Sequence, residues 1–233
     1  MENKVIQGDC LEVMKDIPDK SIDMILTDPP YLFIKGGMKS KTFNVGKNKP
    51  DSFMVNKMSD FGEKEIIYFL DSTKPKLKTI NYFIFCSKLQ LIFYLSWANN
   101  NKLNYDICIW DKMSGSLKSK KFLKPCDYII RIYGKGSGLK YNLNNIFYEK
   151  IKRYKSPNKY HQAEKPVELI EDLLFITTME GNTVLDPFAG SGTTGVACKN
   201  LNRNYILIEK EPEYIDIINK RLAHKTITQE SLF

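Results

Sequence analysis

The sequence predicts an α/β protein built on a doubly wound, mostly parallel sheet, and three observations carry that prediction. Strand-like and helix-like runs alternate along most of the 233 residues. Several strand-like runs are continuously apolar, as in Ile206-Leu207-Ile208, which suits strands covered on both faces. Near residue 190 an apolar run turns through glycines into a helical pattern, Leu185-Asp186-Pro187-Phe188-Ala189-Gly190-Ser191-Gly192-Thr193-Thr194, the local architecture of a nucleotide-type loop.

Seven strands are expected in order: Lys4–Gln7, Ser21–Thr27, Asn81–Cys86, Tyr105–Trp110, Asp127–Tyr133, Thr183–Leu185 and Asn204–Ile208. Asp9 follows the first and is placed to cap a short helix. Asp28-Pro29-Pro30-Tyr31 ends the second. Leu32–Gly62, with Gly36-Gly37, six lysines and little periodicity, reads as a long loop insertion. Helices are expected over Glu63–Leu70 and Lys88–Asn99. Ile80–Trp97 looks membrane-like, but Asn81, Ser87, Lys88 and Gln90 interrupt it, so a buried strand and helix fit better. Asp127–Tyr133 follows its predecessor without a helical pattern between and is expected to run antiparallel. Pro166–Met179 has proline at its first position and Val167, Ile170, Leu173 and Leu174 on one stripe. Glu211–His224 stripes Ile215, Ile218 and Leu222.

Composition narrows the class further. Five scattered cysteines without a C-x-x-C pair argue for thiols in a reducing compartment and against a zinc site, so no metal is expected. No secretory signal is visible at the start, and the expectation is a cytoplasmic protein without a membrane association. Net charge is +8, yet Lys112–Lys159 alone holds 13 Lys or Arg against Asp127 and Glu149, a local +11. That concentration, interleaved with Tyr141, Phe147, Tyr148, Tyr154 and Tyr160, suits phosphate contacts and base stacking, with Lys118, Lys120, Lys121, Lys152, Arg153 and Lys155 as candidates. The alternative is a lysine-rich solvated face with tyrosines packing the segment onto the sheet.

Two constellations carry chemistry. In the glycine loop, Gly190 and Gly192 permit a tight turn and close approach of backbone to a ligand. Glu209 ends the next strand, 19 residues after Gly190, near the spacing at which a carboxylate takes a ribose diol. A Walker lysine and the G-x-G-x-x-G pattern are both missing, which counts against ATP and NAD. In Asp28-Pro29-Pro30-Tyr31, a carboxylate and a backbone carbonyl beside Pro29 can accept both hydrogens of an aromatic amine and free its lone pair for attack. The prolines fix the backbone, and Tyr31 offers a face for an extruded base. A cofactor loop lying after the catalytic turn in sequence points to a circularly permuted Rossmann-like sheet.

Together these segments resemble the β-class S-adenosylmethionine-dependent DNA amino-methyltransferases, which methylate adenine N6 or cytosine N4. Asp28, Pro29, Pro30 and Tyr31 match the family's catalytic motif in its Asp form, associated mainly with N6-adenine. Asp186, Phe188, Ala189, Gly190, Ser191, Gly192 and Thr193 match its loop for the methionine and ribose side of the cofactor, and Glu209 its ribose carboxylate. Gly8-Asp9-Cys10 matches the segment beside the cofactor adenine. His161-Gln162-Ala163-Glu164-Lys165-Pro166 is similar to the motif before the helix preceding the cofactor strand; it places Lys165 near the cofactor carboxylate, and has Gln162 where proline is common.

The resemblance implies a seven-stranded sheet of order 3-2-1-4-5-7-6 with one antiparallel strand. It also implies one methyltransferase domain over 1–233. The catalytic half is 1–135 with the loop insertion at 32–62, the basic target-recognition region spans about 112–160, and the cofactor half is 161–233. The implied activity is DNA adenine N6-methylation with S-adenosylmethionine, in a restriction–modification, orphan or phage setting. DNA is the expected partner; a homodimer and a cognate restriction endonuclease are further potential ones. The alternatives are N4-cytosine methylation of DNA, adenine methylation of RNA, and a catalytically silent DNA-binding subunit.

Overall fold

The computed structural model describes residues 3–31, 61–111, 126–140, 151–153 and 164–223. Eight strands form one sheet: β1 (Lys4–Gln7), β2 (Met24–Thr27), β3 (Asn81–Cys86), β4 (Asn104–Asp111), β5 (Cys126–Tyr133), β6 (Ile151–Arg153), β7 (Thr183–Asp186) and β8 (Asn204–Glu209). Their order is β1-β8-β7-β2-β3-β5-β4-β6. Without β6, and with β7 taken as the first strand of an unpermuted chain, this is the expected order 3-2-1-4-5-7-6. β5 alone among them runs antiparallel, pairing with β3 on one side and β4 on the other. The eighth strand is an addition to the seven expected. It pairs in parallel with the end of β4, Ile109 opposite Ile151.

The apolar runs dictate this sheet because alternate residues must be buried on opposite faces. Along β3, Tyr82, Ile84 and Cys86 enter one core and Phe83 and Phe85 the other. Along β8, Ile206 and Ile208 enter the first, Tyr205 and Leu207 the second. The first core is closed by α1 (Cys10–Val13), α2 (Glu63–Thr73) and α3 (Leu91–Asn100), through Ile66, Phe69, Leu70, Tyr94 and Trp97. The second is closed by α4 (Val167–Thr177), α5 (Thr193–Asn200) and α6 (Pro212–Ala223), through Leu169, Leu173, Ala197 and Ile218. Trp110, buried at the end of β4, belongs to that second core.

Strand boundaries differ from expectation at one place worth explaining. Ser21 and Ile22 lie outside β2: their amides donate to the Lys76 carbonyl and Ile22 forms a bridge with Leu77, so the chain meets the end of α2 before it joins the sheet. The sheet reverses direction of growth between β7 and β2, which pair in parallel with Met24 opposite Val184 and Ile25 opposite Leu185. In open α/β sheets ligands bind beyond the carboxyl ends of the strands at such a reversal. Among the described residues no helix is long and apolar enough to cross a membrane.

Candidate active site

The carboxyl ends of β7 and β2 carry the two segments that the sequence singled out. A buried carboxylate joins them. Asp186, closing β7, accepts from the Thr27 hydroxyl on β2 at 2.7 Å, from the Phe188 amide at 3.1 Å and from the Thr194 hydroxyl at 2.6 Å. Desolvation outweighs these donors and pushes its carboxyl up to about 6. The Asp186 side chain is therefore committed to bracing: it ties β2, the glycine loop and the first turn of α5 together.

Past Thr27 the chain turns through Asp28-Pro29-Pro30-Tyr31. Asp28 Oδ2 pairs with the Lys165 ammonium, which also lies 4.9 Å from the Phe85 ring and 5.8 Å from the Tyr31 ring. Lys165 is 7% exposed, so this is a charge pair largely removed from water. The resemblance expects Lys165 near the carboxylate of a cofactor; its ammonium stands at Asp28. The second Asp28 oxygen and the Tyr31 hydroxyl are both buried; neither makes a well-formed hydrogen bond among the described residues, although the two groups are close enough to act on one another. Burial, and then the Asp28 charge, hold the Tyr31 phenol well above its usual range.

The glycine loop runs from the end of β7 into α5. Gly190 and Gly192 both take positive φ, 52° and 80°. A Cβ on Gly190 would meet nothing within 4 Å, leaving an open approach to the backbone, whereas one on Gly192 would lie 2.8 Å from Ile218. Glu209, ending β8, accepts the Gly190 amide on Oε2 at 2.8 Å and the Lys210 and Glu211 amides on Oε1 at 2.8 and 2.9 Å. A carboxylate has about four acceptor directions, so Oε2 keeps capacity for a further donor. Burial raises the Glu209 carboxyl, and the three amides oppose that rise. The Phe188 ring packs in an aromatic group, edge-on to Phe61 at 5.6 Å and tilted against Phe69 at 5.6 Å. Asp9 caps α1 through the Leu11 amide and pairs with Lys210 at 3.3 Å, while burial followed by Asp9 pushes the Cys10 thiol up to about 12.

Arg221, in the last turn of α6, reads in sequence as one more solvated cation. Its guanidinium donates to the Ser191 carbonyl at 2.9 Å, the Ser191 hydroxyl at 2.8 Å and the Thr193 hydroxyl at 3.3 Å, and pairs with Glu164 at 2.8 Å. Glu164 is 8% exposed and precedes Lys165. One side chain thus fastens the glycine loop to the segment that delivers an ammonium to Asp28. Nothing short-range in the sequence signals this, because residues 164, 191 and 221 are brought together only by the fold.

The structure therefore brings Asp28–Tyr31, Lys165, the 186–193 loop and Glu209 to one end of the sheet. Lys118, Lys120, Lys121 and Lys155 lie outside the described residues, as do 32–60; Lys152 and Arg153 are described only as backbone of β6. Among the described residues no group of three or more His, Cys, Asp or Glu is placed to hold a metal ion.

A permuted, doubly wound sheet with an acidic Pro-Pro-Tyr turn beside a glycine loop defines an amino-methyltransferase architecture. The DNA methylase family N6_N4_Mtase matches residues 22–220, and the chain belongs to it. The type II methyltransferase M.HinfI of Haemophilus influenzae is 29% identical over 247 residues, covering 94% of this chain and 68% of that one. M.HpaI of Haemophilus parainfluenzae is 26% identical over 247 residues, covering 95% and 74%. Among solved structures, the M1.HpyAVI–SAM complex superposes with a TM-score of 0.72 at 25% identity, over 94% of this chain and 98% of that one. The cytosine-N4-specific PvuII DNA methyltransferase shares the fold, with a TM-score of 0.71 at 15% identity over 100% and 96%.

Proposed function

We propose that this protein transfers a methyl group from S-adenosylmethionine to the N6 amine of an adenine flipped out of DNA. The observation that carries the reading is Asp28: one oxygen is held by Lys165, and the other is buried near the Tyr31 hydroxyl without a well-formed hydrogen bond among the described residues. A buried acceptor left unsatisfied costs about 1–3 kcal/mol, and an amine N–H from a substrate would relieve that cost. The residues also fit the cofactor. Open space over Gly190 admits close approach to the backbone, and Glu209 Oε2 has an acceptor direction left for a ribose hydroxyl. Residues 189–193 and Glu209 would hold its methionine and ribose side, with Asp9 and Cys10 toward its adenine. When bound, the cofactor supplies an electrophilic methyl group on a sulfonium.

The chain's own residues prepare the amine. Asp28 Oδ1 and a backbone carbonyl beside Pro29 accept its two hydrogens, drawing the nitrogen toward a tetrahedral geometry in which its lone pair is available. Lys165 keeps Asp28 oriented. The Tyr31 ring, with its phenol held neutral, gives the extruded base a face to stack on. Once nitrogen gains the methyl it sheds one proton, and Asp28 Oδ1 is the acceptor already bonded to an N–H. This is catalysis by position and charge, without a covalent enzyme intermediate. The Asp form of the motif favours adenine over cytosine. The basic run that includes Lys118, Lys120, Lys121, Lys152, Arg153 and Lys155 supplies phosphate contacts.

Mixed DNA and RNA, incubated with cofactor labelled in its methyl group and digested to nucleosides, tests this assignment. Label is expected in N6-methyladenine from DNA, and its appearance only in N4-methylcytosine or only in RNA refutes it. Asp28→Ala abolishes the labelling while calorimetric cofactor affinity stays within about threefold, because Asp28 acts on the amine.

A further inference from the structure

We propose that Gln90 is the positioning residue of the Asp28–Tyr31 turn: one buried carboxamide grips both Pro30 and Phe61 and so sets where the catalytic carboxylate stands. The proposal rests on the methyltransferase reading above and extends it to a side chain outside the family motifs identified in the sequence.

Gln90 occupies the position just before α3, where Ser, Thr, Asp or Asn is favoured because a short side chain can accept the first helix amides. Gln90 makes no such bond. Its side chain turns away from the helix instead and is 1% exposed. Nε2 donates to the Pro30 carbonyl at 3.0 Å and to the Phe61 carbonyl at 2.9 Å. Oε1 accepts from the Ser87 amide at 3.1 Å and the Ser87 hydroxyl at 2.9 Å. Both amide hydrogens and both acceptor directions are thereby used. The orientation of the group is fixed too, since a flipped amide would set its oxygen against two carbonyls. A residue that breaks the local rule for a helix start, yet satisfies all its bonding elsewhere, is behaving as a site residue does.

The turn needs such an outside hold. Pro29 and Pro30 have no N–H, so the backbone between Asp28 and Tyr31 cannot anchor itself by donating, and only its carbonyls can be gripped. Gln90 takes the Pro30 carbonyl. The same carboxamide takes Phe61, whose ring stands edge-on to Phe188 at 82°, on the segment leading into the glycine loop. A catalytic group displaced by about 1 Å can cost about 100-fold in rate, and Gln90 holds a carbonyl two residues from Asp28.

The test compares the full chain with Gln90→Glu and Ser87→Ala by steady-state methyl transfer, cofactor calorimetry and amide hydrogen exchange. Gln90→Glu keeps the size and replaces both donors with an acceptor facing two carbonyls. Its kcat is expected to fall about 100-fold while cofactor affinity changes by less than about threefold. Exchange at the Tyr31 and Gly62 amides speeds up, with β2 and β3 unchanged. Ser87→Ala removes one of the two donors to Oε1 and gives a smaller loss in the same direction; it keeps the test available should Gln90→Glu not fold. Unchanged exchange at Tyr31 overturns the proposal whether or not activity is measured. So does a kcat per folded molecule that stays at the wild-type value. A wild-type enzyme that labels cytosine or RNA would sink the adenine assignment and leave this comparison intact, because kcat is read on whichever nucleic acid the enzyme methylates.

Discussion

Replacing Arg221 by Met should unfasten the glycine loop, and the size of the effect follows from how the guanidinium is buried. Its side chain is 11% exposed and that of Glu164, its partner at 2.8 Å, 3%. Removing one member of a buried pair strands the other charge and costs about 3–5 kcal/mol; with Arg221 still touching water we expect about 3. For a domain of this size each kcal/mol lowers the melting temperature by about 2–4 °C, so Arg221→Met should melt about 6–12 °C lower. Glu164→Gln leaves Arg221 its Ser191 and Thr193 acceptors and should cost less, about 1–2 kcal/mol. With Glu164 already neutral there is no stranded carboxylate, so adding Arg221→Met should cost only about 1 kcal/mol more, and the pair should couple by about 2 kcal/mol. Urea unfolding of the wild type, both single variants and the double variant reads this from midpoints at constant slope. Cofactor affinity should weaken about tenfold in Arg221→Met, since Ser191 and Thr193 lose their common donor. Losses that add within about 0.5 kcal/mol would show that Glu164 and Arg221 act independently and would refute the bridge.

Two further outcomes follow from the same site. The Asp186 carboxyl, raised by burial to about 6 from an ordinary value of 3.8, binds more protons folded than unfolded between those pH values. Its contribution to stability is therefore full below about pH 4 and lost as pH rises through about 6, some 3 kcal/mol in all; Asp186→Asn should remove that component from urea midpoints taken across the range, and an unchanged pH profile would contradict it. The two loop glycines should separate: Gly192→Ala, with φ 80° and a Cβ 2.8 Å from Ile218, costs stability by about 2–4 kcal/mol. Gly190→Ala meets no neighbour and costs about 1 kcal/mol in stability while weakening cofactor binding more strongly, as thermal melts and calorimetry on the two variants would show.

Much of the fold was legible because burial on two faces leaves a plain mark. The runs at Lys4–Gln7 and Asn81–Cys86 became strands with the expected bounds, and the absence of a helical pattern between β4 and β5 correctly announced the antiparallel strand. β6 escaped because Ile-Lys-Arg is too short to show a period and lies in a lysine-rich stretch. At the site, segments that act through their own backbone were legible: the glycines of the loop and the prolines of the turn each declare a conformation. The distant partners through which other groups act were not, even where the group itself had been singled out. Lys165 lies 137 residues from Asp28, and Thr27 lies 159 from Asp186. Gln90 and Arg221 look like an ordinary helix start and an ordinary last-turn cation, and only their partners reveal otherwise.

The placement of β1 at the sheet edge, where among the described residues it pairs only with β8, bears on how the protein is made. Lys4–Gln7 is synthesised long before Asn204–Glu209 and must wait for it before their ladder can form. β2 likewise waits for β7, and Asp28 for Lys165. Local pairing can assemble β3, β4 and β5 early, but the contacts that join the first strands to the cofactor end, β1 to β8, β2 to β7 and Asp28 to Lys165, span most of the chain and carry the loop-closure cost of doing so. The order of synthesis thus separates scaffold from site. A nascent chain can hold a partial sheet while its reactive turn still lacks the lysine and the braced loop, so the turn cannot be completed before Lys165 and the 186–193 loop have been made.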